Sequence, residues 1–149
     1  MKILVLNGPN LNMLGKRDRL LYGTHTLKQI NSQLDQLAKS QGATLKFFQS
    51  NHEGDLIDFI QKESAAVSGI LINPGALTHY GYSLRDALVD SGLPIIEVHL
   101  SDIDNREEFR KVDVLDGIVI ENIKGLQEES YLLALEKLVS FIRNNPKKL

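Results

Sequence analysis

Cysteine is missing from this 149-residue chain. Its absence excludes a disulfide framework, a thiolate nucleophile and a zinc–thiolate site, and it fits a reducing cytoplasm. Excess charge is missing too: 17 Lys and Arg stand against 19 Asp and Glu, a net charge of −2, so no chain-wide field attracts nucleic acid or an anionic membrane. No apolar run approaches the roughly 20 residues of a membrane helix. The opening residues turn polar directly after Ile3 to Leu6, too soon for a secretory signal. There is no Gly-x-x-x-x-Gly-Lys phosphate loop, no Gly-x-Gly-x-x-Gly after the first strand and no Gly-x-Ser-x-Gly turn for a serine nucleophile. The four histidines lack the spacing of a metal-binding helix. What is expected is one cytoplasmic domain, residues 1–149, without metal or cofactor and long enough to bury about 68–70% of its unfolded surface.

What is present is a regular alternation of strand and helix signals. The apolar run Ile3 to Leu6 ends in Asn7-Gly8-Pro9-Asn10, a buried strand entering a turn. Thr26 and Gln29 have capping-box spacing ahead of Leu27, Ile30, Leu34, Leu37 and Ala38, a helical stripe closed by Gly42. Thr44 to Gln49 reads as a second strand, and Ser50 with Glu53 repeats the capping spacing before a helix running to about Glu63. Ile70 to Asn73 is a third strand, broken by Pro74-Gly75 and followed by a helix carrying Leu84, Ala87 and Leu88. Ile95 to Leu100 is a fourth strand, Ile118 to Glu121 a fifth, and Tyr131, Leu135, Leu138, Val139 and Ile142 define a last helix stopped near Pro146. Five such units predict an α/β, flavodoxin-like three-layer sandwich, a parallel sheet of order 2-1-3-4-5 with helices on both faces. Ligands in such sheets bind beyond the carboxyl ends of the strands, so the loops after Leu6, Ile72 and Leu100 should border one pocket.

Those loops bring Asn10, Asn12, Arg17 and Tyr22, then Asn73, Thr78 and His79, then Glu97, His99, Ser101, Arg106 and Arg110. The fourth strand departs furthest from an ordinary one. Its residues Ile96, Val98 and Leu100 alternate with Glu97 and His99, although a strand covered on both faces should be apolar throughout. A carboxylate accepting from one ring nitrogen would fix the imidazole tautomer and raise the basicity of the other nitrogen. A satisfied structural pair at a strand end is the alternative. Tyr22 could serve as a base only with cations nearby, since a phenol of pKa about 10 is ionised to roughly 0.1% at neutral pH. Arg17 lies five residues away on the same loop, and Arg110 of the fourth loop is a second candidate cation.

Taken together, Asn7 to Gly15 with Arg17 and Tyr22-Gly23, Gln49 to Gly54, Ile72 to Ala76 with Thr78-His79, Leu84 to Ala87, Glu97 to Ser101, and Arg106 to Arg110 resemble the type II 3-dehydroquinate dehydratases. The resemblance runs in order along nearly the whole chain. It implies that Tyr22, as phenolate, removes the C2 proton of 3-dehydroquinate. The resulting enolate would be eased by Arg17 and a water near Asn10, and His99, supported by Glu97, would protonate the leaving C1 hydroxyl in an anti elimination of the shikimate pathway. Asn73 and the amides of Leu100 and Ser101 would hold the substrate carboxylate, His79 and Arg110 the ring hydroxyls. Asp86 would reach the site from a neighbouring subunit of a homododecamer, a tetramer of trimers. The chain departs from the family pattern at Asp18-Arg19 (usually Glu-Pro), Tyr80-Gly81 (Thr-Ser), Val112-Asp113 (His-Ser) and Gln127 to Ser130 (Gly-x-x-Gly). Two other classes remain open at this point. One is a non-catalytic flavodoxin-like module for a mononucleotide or a protein partner, and the other a different lyase or isomerase of polyhydroxy acids.

Overall fold

The strand at the centre of the architecture is the first one, β1 (Lys2–Asn7), whose Ile3 to Leu6 are fully buried. It pairs in parallel with β2 (Thr44–Gln49) on one side and β3 (Gly69–Asn73) on the other, and β4 (Ile95–Val98) and β5 (Glu121–Ile123) complete the sheet in the order β2-β1-β3-β4-β5. The computed structural model describes residues 1–146. The alternation of side chains along β1 divides its apolar run between two layers. Ile3 and Val5 join Leu71 and Ile96 beneath α2 (Leu27–Ser40) and α5 (Glu128–Asn144), while Leu4 and Leu6 join Ile70 and Ile72 beneath α3 (Glu53–Glu63) and α4 (Tyr82–Asp90). Each large aliphatic side chain buried this way stabilises the fold by about 1.5–3 kcal/mol. This is the predicted flavodoxin-like sandwich.

Local signals explain most boundaries. α2 starts with a complete capping box: the Gln29 amide donates to Thr26 Oγ1 at 3.2 Å and the Thr26 amide to Gln29 Oε1 at 2.8 Å. The second expected box does not form. Ser50 Oγ donates instead to Asp55 and accepts from the His52 amide, and Glu53 Oε1 leaves its own helix to accept from the Leu84 amide at 3.0 Å, capping the first turn of α4. The fifth strand also differs from expectation, occupying Glu121–Ile123 rather than Ile118 to Glu121. Ile118 and Val119 pack as loop residues on the α3–α4 layer, and pairing to Ile96 begins only at Glu121. An edge strand tolerates polar residues such as Glu121 and Asn122, so the apolar run marked a packing segment and not the strand.

Candidate active site

The loops after β1 and β3 are locked backbone to backbone at the carboxyl end of the sheet. The Gly8 amide donates to Asn73 O at 2.8 Å, and a Cβ on Gly8 would lie 2.3 Å from Pro74 O. Gly75 has φ +59°, and its Cβ would come within 2.9 Å of Pro9 O. Only glycine allows this approach at either place. Asn10, itself left-handed at φ 68°, is held by its amide donating to Asn51 Oδ1 at 3.0 Å, while Gln49 Nε2 donates to Gly8 O. The chain then forms a single helical turn, α1 (Arg19–Tyr22), started by the Asp18 carboxylate accepting from the Leu20 and Leu21 amides. That turn sets Tyr22 over the end of the sheet.

A cavity of about 110 Å³ opens here, lined from the three nominated loops by Asn10, Arg17 and Tyr22, by Asn73 and His79, and by His99, Leu100, Ser101, Arg106 and Arg110. Of the residues singled out in the sequence, all but Asn12, Thr78, Asp86 and Glu97 are part of this wall. Asp86 is exposed on α4 and away from the cavity of its own chain. Glu97 lies behind His99. Its Oε1 is 2.6 Å from His99 Nε2 and also accepts from Thr78 Oγ1, while both Glu97 and Thr78 are completely buried. Burial pushes the Glu97 carboxyl above the usual carboxylate range, against the opposing pull of its bond to His99. With Nε2 turned to Glu97, Nδ1 is the nitrogen His99 has free.

Two guanidiniums flank the phenol. The Arg17 guanidinium carbon lies 3.8 Å from the centre of the Tyr22 ring, on its face. Contact with the oxygen comes from another residue: Arg106 donates to Tyr22 Oη at 2.8 Å and to Ser101 Oγ at 3.3 Å. Arg110 is held by Glu107 through a 2.6 Å ion pair. Arg106 thus has a part at the phenol that its position in the fourth loop did not reveal. The signal was its place between Ser101 and Arg110, but which arginine meets the phenol depends on how the 3-10 turns at Ile103–Asn105 and Glu108–Lys111 fold the segment.

Asn73 is fixed from beneath. Its Oδ1 accepts from the Gly75 amide at 3.1 Å and its Nδ2 donates to Tyr131 Oη at 2.8 Å, which in turn donates to Asn7 Oδ1 at 2.6 Å. One N–H of Asn73 remains for a ligand. Burial pushes the Tyr131 phenol upward, so this hydroxyl stays a neutral donor. The amides of Leu100 and Ser101 donate to no acceptor among the described residues, leaving two adjacent N–H groups on cavity-lining residues for an anion. His79 Nδ1 donates to Val112 O at 2.7 Å, which reserves Nε2. Among the described residues no three His, Asp or Glu side chains are grouped to hold a metal ion, and no helix is long and apolar enough to cross a membrane. The wall therefore offers a candidate base, a candidate acid and an anion cradle.

Residues 1–139 match the family model described as dehydroquinase class II. The 3-dehydroquinate dehydratase of Roseiflexus castenholzii is 55% identical over 139 residues, covering 93% of this chain and 88% of that protein. That of Halothermothrix orenii is 47% identical over 142 residues, 95% and 96% of the two chains. The crystal structure of the type II dehydroquinase from Butyrivibrio crossotus superposes with a TM-score of 0.90 at 42% identity, covering 93% of this chain and 97% of that one. The similarity spans both layers of the sandwich and all three loops of the cavity, and on that ground the chain belongs to the class II dehydroquinase family.

Proposed function

We propose that this protein is a 3-dehydroquinate dehydratase of the shikimate pathway, eliminating water from 3-dehydroquinate by an anti course through an enolate, with no metal or cofactor. The observation that carries the reading is one cavity flanked by a phenol bonded to a guanidinium and an imidazole bonded to a buried carboxylate. Tyr22, ionised beside Arg106 and Arg17, takes the proton from C2, and the electron pair left behind becomes the enolate. Arg17 and a water near Asn10 ease the charge on the enolate oxygen. His99 then gives a proton from Nδ1 to the C1 hydroxyl as the C1–O bond breaks and water leaves, while Glu97 holds the imidazole and balances its charge. Base and acid come from different loops, an arrangement that suits groups acting on opposite faces of one ring.

The substrate carboxylate is assigned to the Leu100 and Ser101 amides with the spare N–H of Asn73, and the ring hydroxyls to His79 Nε2 and Arg110. Asp86, exposed on α4 beside exposed Tyr82 and Val89, supports an assembly in which it enters a neighbour's cavity, a homododecamer built from four trimers. The cysteine-free composition supports a cytoplasmic location.

The test is the near-ultraviolet absorbance rise as 3-dehydroquinate becomes a conjugated enone, measured with chelator present. Wild-type protein is expected to produce the rise. Tyr22→Phe and His99→Ala each lower turnover about 10²- to 10⁴-fold. Folded wild-type protein that leaves the absorbance flat overturns the activity, and variants at wild-type rate overturn the roles.

A further inference from the structure

The hydrogen-bond chain that ends at His99 begins at a carboxylate the elimination above does not use. Asp113 follows the 3-10 turn at Glu108–Lys111 and is half-buried. Its Oδ1 accepts from the Leu115 amide at 2.8 Å and its Oδ2 from the Asn122 side chain at 3.0 Å, two donors that suit an ionised group. The same Oδ1 lies 3.0 Å from Thr78 Oγ1, and that hydroxyl oxygen lies 2.5 Å from Glu97 Oε1. A hydroxyl has one proton to donate. When Thr78 turns it to Asp113, Glu97 keeps only the His99 donor, and Glu97 Oε2 has no partner among the described residues in any case. Glu97 then becomes a stronger acceptor for the His99 Nε2 proton.

We propose that Asp113 is a positioning residue for the proton donor: it competes with Glu97 for the Thr78 hydroxyl and, by that competition and its own negative charge, tightens the hold of the Glu97–His99 pair on its proton. The inference deepens the reading of His99 as the acid and rests on it. The other titratable groups around the pair are Arg17 and Tyr22 after β1, His79 after β3, and Arg106 and Arg110 after β4, all lining the cavity, with Glu107 bound to Arg110. Arg85 of α4 donates to Val114 O next to Asp113. The Asp113 charge works in the same direction as burial on Glu97, raising its affinity for a proton.

The experiment measures kcat against pH for wild type, Asp113→Asn and Asp113→Glu, and titrates the His99 imidazole by NMR in the same substrate-free proteins. Removing the negative charge weakens the pair's grip on its proton, so Asp113→Asn moves the alkaline midpoint down by about 0.5–1 pH unit in both measurements. KM stays within about threefold, and Asp113→Glu, which keeps the charge, holds the midpoint close to that of wild type. A role confined to tethering Leu115 and Asn122 would lower the melting temperature and leave the midpoint in place. An Asn variant that is folded by circular dichroism and titrates with wild type overturns the proposal. If the Asn variant does not fold, Asp113→Ser keeps an acceptor for the Leu115 amide without the charge and is held to the same shift. Wild-type protein without turnover rejects the acid–base reading alone, because the imidazole titration still reads Asp113.

Discussion

Arg106→Met removes the one guanidinium that bonds the Tyr22 oxygen while keeping most of the aliphatic stem. Opposite charges about 4 Å apart interact by about 4 kcal/mol at an effective dielectric of about 20, an upper bound here. The Arg106 side chain is 14% exposed and Arg17 still covers the ring face, so solvent and a second cation carry part of the load. A hydrogen bond to a charged group contributes about 1.5–3 kcal/mol. The lower half of that range corresponds to a loss of about 10- to 50-fold in kcat/KM. Arg106→Lys, which retains charge without the planar fork, falls between the two. Initial rates followed by the enone absorbance, with melting temperature as a folding control, give the comparison. Arg106→Met within twofold of wild type would refute the idea that this residue sustains the ionised phenol.

Tyr131 is fully buried with its phenol pushed upward, whereas in the unfolded chain it ionises near pH 10. Its contribution is therefore complete below pH 10 and falls away above it, so wild-type protein should lose melting temperature from pH 9.5 to 11 more steeply than Tyr131→Phe; parallel curves would contradict the shift. The Glu63 carboxyl is held below its usual range by the Lys46 ammonium, which donates to Oε1 at 2.7 Å. That contribution exists above the unfolded value of about 4.3 and disappears as pH falls through the lower folded value. Lys46→Met should thus melt below wild type at pH 7, the gap closing in acid, and a gap that persists at pH 2 would count against the pair.

Much of this was legible in the sequence because period and punctuation agree with burial. Ile3 to Leu6 had to be covered on both faces, and the five alternating units leave few topologies, so the sheet order and the three loops around the cavity followed. Glu97 and His99 stood out because nothing apolar explained them. The rest depends on contacts between segments distant in sequence. Glu53 caps α4 rather than its own helix because Leu84 happens to approach it. Ile118 to Glu121 looked like a strand, yet Ile118 and Val119 fill the space beside α3 and α4 and Ile120 is exposed. Arg106 and Arg110 are indistinguishable as letters, and only the path of the 3-10 turns, with Glu107 engaging Arg110, directs Arg106 to the phenol. Asp113 is an unremarkable loop acid until the fold sets it 3.0 Å from the Thr78 hydroxyl.

The division of labour between phenol and imidazole is tested most directly by solvent deuterium exchange at C2 of 3-dehydroquinate recovered from His99→Ala and from Tyr22→Phe. Loss of the acid should leave enolate formation intact, so His99→Ala incorporates deuterium while forming little product, and Tyr22→Phe incorporates none above the uncatalysed rate. Exchange by Tyr22→Phe at the wild-type rate would contradict the account.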